Sequence, residues 1–142
     1  MSREQFRYHF PLRVRFAETD MQGIVFNGNY LTYIDTAVTE YLRHLSYPYQ
    51  EMVKSGFDFV LARVSCDFRS PAYFDDPLEI HTRVAELKTR SFVVEFEIYR
   101  RGETAPLFSA SSVYVGIDPT TKRPVPLPKQ FRQIVLTFEQ LP

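Results

Sequence analysis

A short acidic loop that runs directly into a helix is the part of this chain best suited to chemistry. Asp20 stands in the segment ETDMQGIVFNGNYLTY, residues 18–33, shortly before a helical pattern begins. The first turn of a helix offers unpaired backbone N–H groups and the positive end of the helix dipole, which can polarise a carbonyl. A carboxylate beside that carbonyl can attack it or activate water against it. The loop therefore predicts acyl transfer or hydrolysis by Asp20, whereas an acid that only caps the following turn is the alternative.

The elements around this loop follow from the hydrophobic periodicity. Alternation over residues 10–16 predicts a strand before the loop, and spacings of three and four predict one amphipathic helix over residues 29–45 after it. Asn27 or Asn29 is expected to cap that helix. A short second helix over residues 48–54 is stopped by Gly56. Glu18, two residues before Asp20, is expected to be solvated or to act as an electrostatic neighbour.

Beyond the second helix the period changes to two. Alternation predicts strands over residues 59–68, 78–86, 92–98 and 107–115, and we expect the four to form an antiparallel meander. A short helix is expected over residues 131–138. Because one long helix can cover one face of such a sheet, the predicted fold class is α+β, with residues 1–142 as a single domain.

The composition argues against several classes of protein. The chain has 142 residues, and its 17 basic residues balance 17 acidic ones, which argues against a broad nucleic-acid-binding surface. The single cysteine, Cys66, rules out an internal disulfide and fits a reducing compartment. Residues 1–10 lack signal-peptide character, and no apolar run approaches membrane-spanning length. We therefore expect a cytoplasmic protein without nucleic-acid or membrane partners.

Three motifs, in order along the chain, point to a known family. They are Thr19-Asp20 with Gly23-Ile24-Val25 and Asn29-Tyr30, then Ser70-Pro71-Ala72 with YFDDPL, and then Lys88-Thr89-Arg90-Ser91-Phe92. With these motifs on matching secondary structure, the chain resembles the 4-hydroxybenzoyl-CoA thioesterase family of the hotdog fold over nearly its whole length. The resemblance implies a curved antiparallel sheet wrapped around one long helix. It also implies an enzyme that hydrolyses acyl-CoA without metal or cofactor, in a homodimer or homotetramer whose acyl sites are shared between two chains.

The resemblance assigns the chemistry to the acidic loop. Asp20 is expected to be the nucleophile or the general base, and backbone N–H groups near Asn27 and Gly28 are expected to polarise the thioester carbonyl. Several relatives have Tyr or His in place of Asn27, whereas long-chain acyl-CoA members also have Asn. The backbone N–H does not depend on the side chain, and the acyl preference stays open.

The rest of the expected substrate site lies elsewhere in the sequence. Lys88, Arg90 and Ser91 form a turn expected to bind the CoA phosphates, with an ordinary solvated turn as the alternative. Asp35 lies on the flank of the long helix and is the rival catalytic acid, because other hotdog subgroups place their acid there. Alternatively, Asp35 contacts a polar acyl group. It can also be an ordinary acid in an early helical turn, where the helix dipole favours negative charge.

Two rival functions are open. A hotdog dehydratase or hydratase needs a histidine with an acid, and no histidine stands near Asp20 in the sequence. A non-catalytic acyl-CoA-binding or acyl-carrier-protein-associated module would not need a carboxylate facing a thioester. His9, His44 and His81 show no ligand spacing, so no metal site is expected.

Overall fold

The computed structural model describes residues 3–142, which contain five strands and three α-helices. The strands are β1 (His9–Arg13), β2 (Asp58–Phe68), β3 (Pro77–Leu87), β4 (Ser91–Arg100) and β5 (Phe108–Ile117). The helices are α1 (Asn29–His44), α2 (Tyr49–Lys54) and α3 (Lys129–Glu139). The strands form one antiparallel sheet in the order β1-β3-β4-β5-β2, and α1 packs against one face of it. The α+β class and the hotdog architecture predicted from the sequence are confirmed.

The position of β2 differs from the predicted meander. Only β3, β4 and β5 follow one another as neighbours, whereas β2 pairs with β5 at one edge of the sheet. Alternation reveals that a strand exists but does not say which strand lies beside it. The connection from β2 to β3 crosses the end of the sheet instead of making a hairpin, and Ala72 in that connection accepts a hydrogen bond from the N–H of Val25 at 2.9 Å. The crossover thereby brings the second motif against the acidic loop.

One face of α1 forms the centre of the core. Its buried side chains recur at spacings of three and four, as the sequence predicted, and they are Tyr30, Tyr33, Ile34, Ala37, Val38, Tyr41 and Leu42. They pack on the inward-facing residues of β3 and β4, of which Ile80, Phe96 and Ile98 are almost fully buried. Burying a large apolar side chain stabilises a fold by roughly 1.5–3 kcal/mol, so this contact holds the helix against the sheet. No helix among residues 3–142 is long and apolar enough to cross a membrane.

Two local predictions at the start of the chain are wrong. β1 ends at Arg13, and Phe16 lies in a 3₁₀ turn with 76% of its surface exposed, so alternation overextended the strand. The N-cap of α1 is Gly28, which makes no side-chain capping bond. The Asn29 side chain instead donates to the carbonyl of Glu18 at 2.7 Å, because the folded-back loop offers it a closer acceptor.

Candidate active site

The acidic loop is a tight turn that fixes Asp20. The N–H of Asp20 donates to the carbonyl of Ile24 at 2.9 Å, and the N–H of Gly23 donates back to the carbonyl of Asp20 at 2.9 Å. Gly23 has φ of +78°, a value that favours glycine. Oδ1 of Asp20 accepts a hydrogen bond from the N–H of Gln22 at 2.8 Å, so one carboxylate oxygen does cap the turn. Among residues 3–142, no donor forms a hydrogen bond with Oδ2.

Glu18 anchors this loop to α1. Its carboxylate accepts hydrogen bonds from Arg15 Nε at 2.9 Å and from the Tyr33 hydroxyl at 2.8 Å, and only 13% of its side chain is exposed. Although burial acts in the opposite direction, the bonds from Arg15 and Tyr33 hold the pKa of Glu18 below its usual range. The expectation that Glu18 is solvated is wrong, because the 3₁₀ turn at Phe16–Glu18 directs the side chain toward the helix.

A cavity of about 380 Å³ brings the loop acid and the start of α1 together. Its lining includes Asp20, Asn27 and Tyr30, and it is completed by Gln22, Ile24, Val25, Phe68, Arg69, Ser70 and Pro71. Gly28 follows Asn27 directly. Within the described residues, neither the N–H of Asn27 nor that of Gly28 donates a backbone hydrogen bond. The Asp20 carboxylate and Asn27, whose N–H is available, therefore line one cavity, whereas Gly28 is not part of that lining.

Two features of the cavity wall were not predicted from the sequence. Tyr30 stacks on Phe108 at 4.8 Å between ring centroids and meets Phe68 edge-on at 5.5 Å, which makes an aromatic side to the cavity. Burial raises the pKa of the Tyr30 hydroxyl, so this residue stays neutral. Arg69 supplies a cation to the lining. The sequence could have indicated Arg69, because this residue stands between the end of β2 and the Ser70-Pro71 motif.

Asp35 lies in a different cavity. About 320 Å³ of space is lined by Asp35, Leu31, Leu61 and Tyr114, together with Thr32, Ile34 and Ser112. Although part of Asp35 remains exposed, desolvation raises the pKa of its carboxyl. Burial, with the nearby Asp35 charge, raises the pKa of Tyr114 to about 12. Within one protomer, Asp35 does not share the cavity of Asp20.

The Lys88–Ser91 turn is also remote from Asp20 in the protomer. Lys88 and Arg90 are exposed, and the turn is closed by the N–H of Lys88 donating to the carbonyl of Ser91 at 2.8 Å. The turn lies beside Gly116, which pairs with Phe59 near the start of β2, whereas the Asp20 cavity lies at Phe68, the end of that strand. At about 3.3 Å per residue, the two ends of β2 are roughly 30 Å apart.

An open antiparallel sheet with one long helix on its face, and an acidic loop at the start of that helix, is the architecture of hotdog-fold thioesterases. The chain belongs to the thioesterase superfamily, because the family model of that description matches residues 22–106, more than half of the chain. The family and the enzyme class predicted from the three motifs are thereby confirmed.

The relatives agree with this membership. The chain is 32% identical to the acyl-CoA thioester hydrolase YbgC of Escherichia coli O6:H1 over 133 residues, which cover 94% of this chain and 96% of that protein. The solved structure of the gentisyl-coenzyme A thioesterase BH1999 superposes with a TM-score of 0.79 at 29% identity, covering 90% of this chain and 98% of that one. The PA5185 protein of Pseudomonas aeruginosa superposes with a TM-score of 0.85 at 27% identity, covering 96% and 94% of the two chains.

Proposed function

We propose that this protein is an acyl-CoA thioesterase that hydrolyses acyl-CoA to the free acid and CoA, with residues 1–142 acting as one domain. The observation that carries the proposal is the cavity shared by Asp20 and the start of α1. Support comes from the relatives, since the Escherichia coli protein is named an acyl-CoA thioester hydrolase and BH1999 a gentisyl-coenzyme A thioesterase.

The chemistry follows from the groups around the opening. The thioester carbonyl oxygen accepts hydrogen bonds from the N–H groups of Asn27 and Gly28, which stabilise the negative charge that develops on it. The unengaged oxygen of Asp20 then attacks the carbonyl carbon, the C–S bond breaks, and CoA leaves as a thiolate that takes a proton from water. Water hydrolyses the resulting mixed anhydride. In the alternative route, Asp20 takes a proton from a water molecule that attacks the carbonyl directly.

Asp35 is proposed to contact the acyl group. It lies one helical turn or more beyond the start of α1, in a cavity with the apolar side chains of Leu31 and Leu61 and the hydroxyl of Tyr114. Apolar walls with a few polar groups suit an acyl group that carries a polar substituent. The identity of that acyl group, whether aromatic, short or long, is the first quantity to measure.

CoA is proposed to bind between two chains. β2 is an edge strand that exposes Val60, Leu61 and Phe68, and exposed edges of this kind pair with another strand. Antiparallel pairing of β2 with its copy about a two-fold axis sets the start of one β2 against the end of the other. The partner's Lys88–Ser91 turn then approaches the Asp20 cavity, where its two cations and Ser91 can bind the CoA phosphates. A homodimer is the minimal assembly, and a homotetramer is two such dimers.

The rival functions lack an equivalent observation. The lining of the Asp20 cavity, over the described residues, includes no histidine that a dehydratase would use. A binding module would not need an unengaged carboxylate oxygen in the cavity at the start of α1.

A panel of acyl-CoA thioesters tests the proposal. Aromatic, short-chain and long-chain acyl-CoAs are incubated with the protein, and the released thiol is measured with a colour reagent. We expect catalytic release from at least one class, without added metal or cofactor. Saturable binding of acyl-CoA with no thiol release above background would favour the binding module. Hydration of an enoyl-CoA with no thiol release would favour the dehydratase.

A further inference from the structure

A cluster of potential metal ligands lies on the face of the sheet opposite α1. The register of β1 and β3 sets His9 directly across from His81, and Glu79 stands two residues before His81 on the same face. Nε2 of His81 lies 3.2 Å from one oxygen of Glu79, and Nε2 of His9 lies 4.0 Å from the other. The three potential ligand atoms all lie within 4.8 Å of one another. The centroids of the two imidazole rings are 4.9 Å apart.

The surroundings of His81 differ from those of an ordinary surface histidine. Only 9% of its side chain is exposed, because the rings of Phe6 and Tyr99 meet it edge-on at 5.9 and 5.2 Å. Among residues 3–142, no group forms a hydrogen bond with the buried Nδ1 of His81. The contact of Nε2 with Glu79 is thus the one polar interaction that the described residues give this ring.

Charges of both signs surround the cluster. Glu97, which is buried, lies opposite His81 on β4 and adds a second carboxylate to this face. The nearby Arg3 guanidinium does not pair with Glu79 in the structure. It lies 4.8 Å over the ring of Tyr99 and donates to the carbonyl of Glu103 at 3.0 Å.

We propose that His9, Glu79 and His81 bind Zn²⁺, which ties the edge strand β1 to β3. Two imidazole nitrogens and one carboxylate oxygen are a ligand set that zinc accepts, with water in the fourth position. Zinc–ligand bonds of about 2.0–2.1 Å in a tetrahedron place the ligand atoms about 3.3 Å apart. The 3.2 Å between Nε2 of His81 and the nearer oxygen of Glu79 already matches this spacing. Because 46% of the His9 side chain is exposed, His9 is free to change rotamer and bring its Nε2 to the metal. The sequence could not reveal the site because its two histidines meet only through strand pairing.

Zinc titration of the metal-free protein tests this site. Protein stripped with a chelator is titrated with Zn²⁺ by isothermal calorimetry, and its melting temperature is measured with and without Zn²⁺. We expect one zinc ion per chain and a rise in melting temperature on binding. The variants His9→Gln and Glu79→Gln should bind at least tenfold more weakly, because even outer-shell partners of metal ligands are worth 10–100-fold in affinity. Both positions are partly exposed, so the variants should fold.

His44→Gln is the matched control. His44 is an exposed histidine at the end of α1, and it belongs to no ligand cluster within the described part of the chain. It should bind zinc as the wild type does. Loss of binding in His44→Gln with retention in His9→Gln would overturn the proposal. Equal affinity in all four proteins, or no binding at micromolar zinc, would overturn it as well. Co²⁺ loaded in place of zinc should give the visible absorption of a four-coordinate ion in the wild type, and this absorption should disappear in Glu79→Gln.

Discussion

In the proposed mechanism the two oxygens of Asp20 have separate tasks, and one substitution distinguishes between them. Asp20→Asn keeps an oxygen that can accept the hydrogen bond from the N–H of Gln22, so the turn and the melting temperature should stay as in the wild type. An amide can neither attack the carbonyl nor take a proton from water. We expect turnover of the best acyl-CoA to fall by about 100-fold or more, the usual contribution of such a group.

Asp118→Asn is the control for this experiment. Asp118 also caps a turn, since its carboxylate accepts hydrogen bonds from the N–H groups of Thr120 and Thr121 at 2.8 and 2.9 Å. Its substitution should leave turnover unchanged. Hydrolysis by Asp20→Asn within a few-fold of the wild-type rate would refute the assignment and make Asp35 the next acid to test.

Glu139 is a residue whose protonation should set part of the pH dependence of stability. It is only 8% exposed, and its carboxylate accepts hydrogen bonds from the Tyr41 hydroxyl at 2.5 Å and from the N–H of Val84 at 3.0 Å. Burial raises its pKa, so the folded chain binds this proton more tightly than the unfolded chain does. Its contribution to stability is therefore complete below the unfolded value of about 4.3 and is lost as the pH rises through the folded pKa.

Glu139→Gln tests that dependence, because the amide keeps an acceptor and cannot ionise. Between pH 4.5 and neutrality, the free energy of unfolding of the wild type should fall relative to that of the variant. The fall amounts to about 1.4 kcal/mol for each unit by which the pKa is raised. Urea unfolding at several pH values measures it, with the exposed Glu51→Gln as control. Parallel pH profiles for the wild type and Glu139→Gln would contradict the prediction.

At the scale of elements, the sequence predicted what depends on local periodicity. The buried stripe of α1 and the five strands were predicted because each element shows its own repeat, and Asp20 and Asn27 were indicated because one short loop carries both. The prediction of an asparagine N-cap for α1 was wrong. The folded loop brings the carbonyl of Glu18 close to Asn29, and the Asn29 side chain donates its hydrogen bond there. The place of β2 and the meeting of His9 with His81 depend on pairing between distant segments, which no local pattern encodes.

The β3–β4 turn is an element whose function can be tested apart from catalysis. Lys88→Ala with Arg90→Ala removes two proposed phosphate contacts, and one charged hydrogen bond alone is worth about tenfold in affinity. KM for acyl-CoA should therefore rise by about tenfold or more, and kcat should stay nearly unchanged. The turn should keep its shape, because backbone groups close it and Arg132 donates to the carbonyls of Lys88 and Thr89. An acyl-pantetheine thioester lacks the nucleotide phosphates, so its KM should not change.

Arg101→Ala is the control, because it removes a cation from the β4–β5 turn at the other end of β4. KM for acyl-CoA should stay at the wild-type value in this variant. Equal losses on acyl-CoA and acyl-pantetheine in the Lys88 and Arg90 double variant would show that the turn does not recognise phosphate.

At the scale of the whole molecule, the geometry of β2 makes the dimer a requirement of the proposed site. The two halves of that site lie at opposite ends of one β2, roughly 30 Å apart, and two-fold pairing of the strand brings them together twice. Each of the two sites then takes Asp20 from one chain and the Lys88–Ser91 turn from the other. Activity should accordingly fall on dilution below the dissociation constant of the dimer.

Subunit mixing tests this sharing directly. At a substrate concentration well below KM, Asp20→Asn chains are nearly inactive, and Lys88→Ala/Arg90→Ala chains keep about one tenth of the wild-type rate or less. In a mixed dimer, one site carries both defects and the other carries neither. Random exchange of equal amounts makes half of the dimers mixed, so about one quarter of the wild-type sites should be restored. If the turn and Asp20 served one substrate from the same chain, mixing would restore nothing. A monomeric mass by light scattering at micromolar concentration, with full activity, would also refute the shared site.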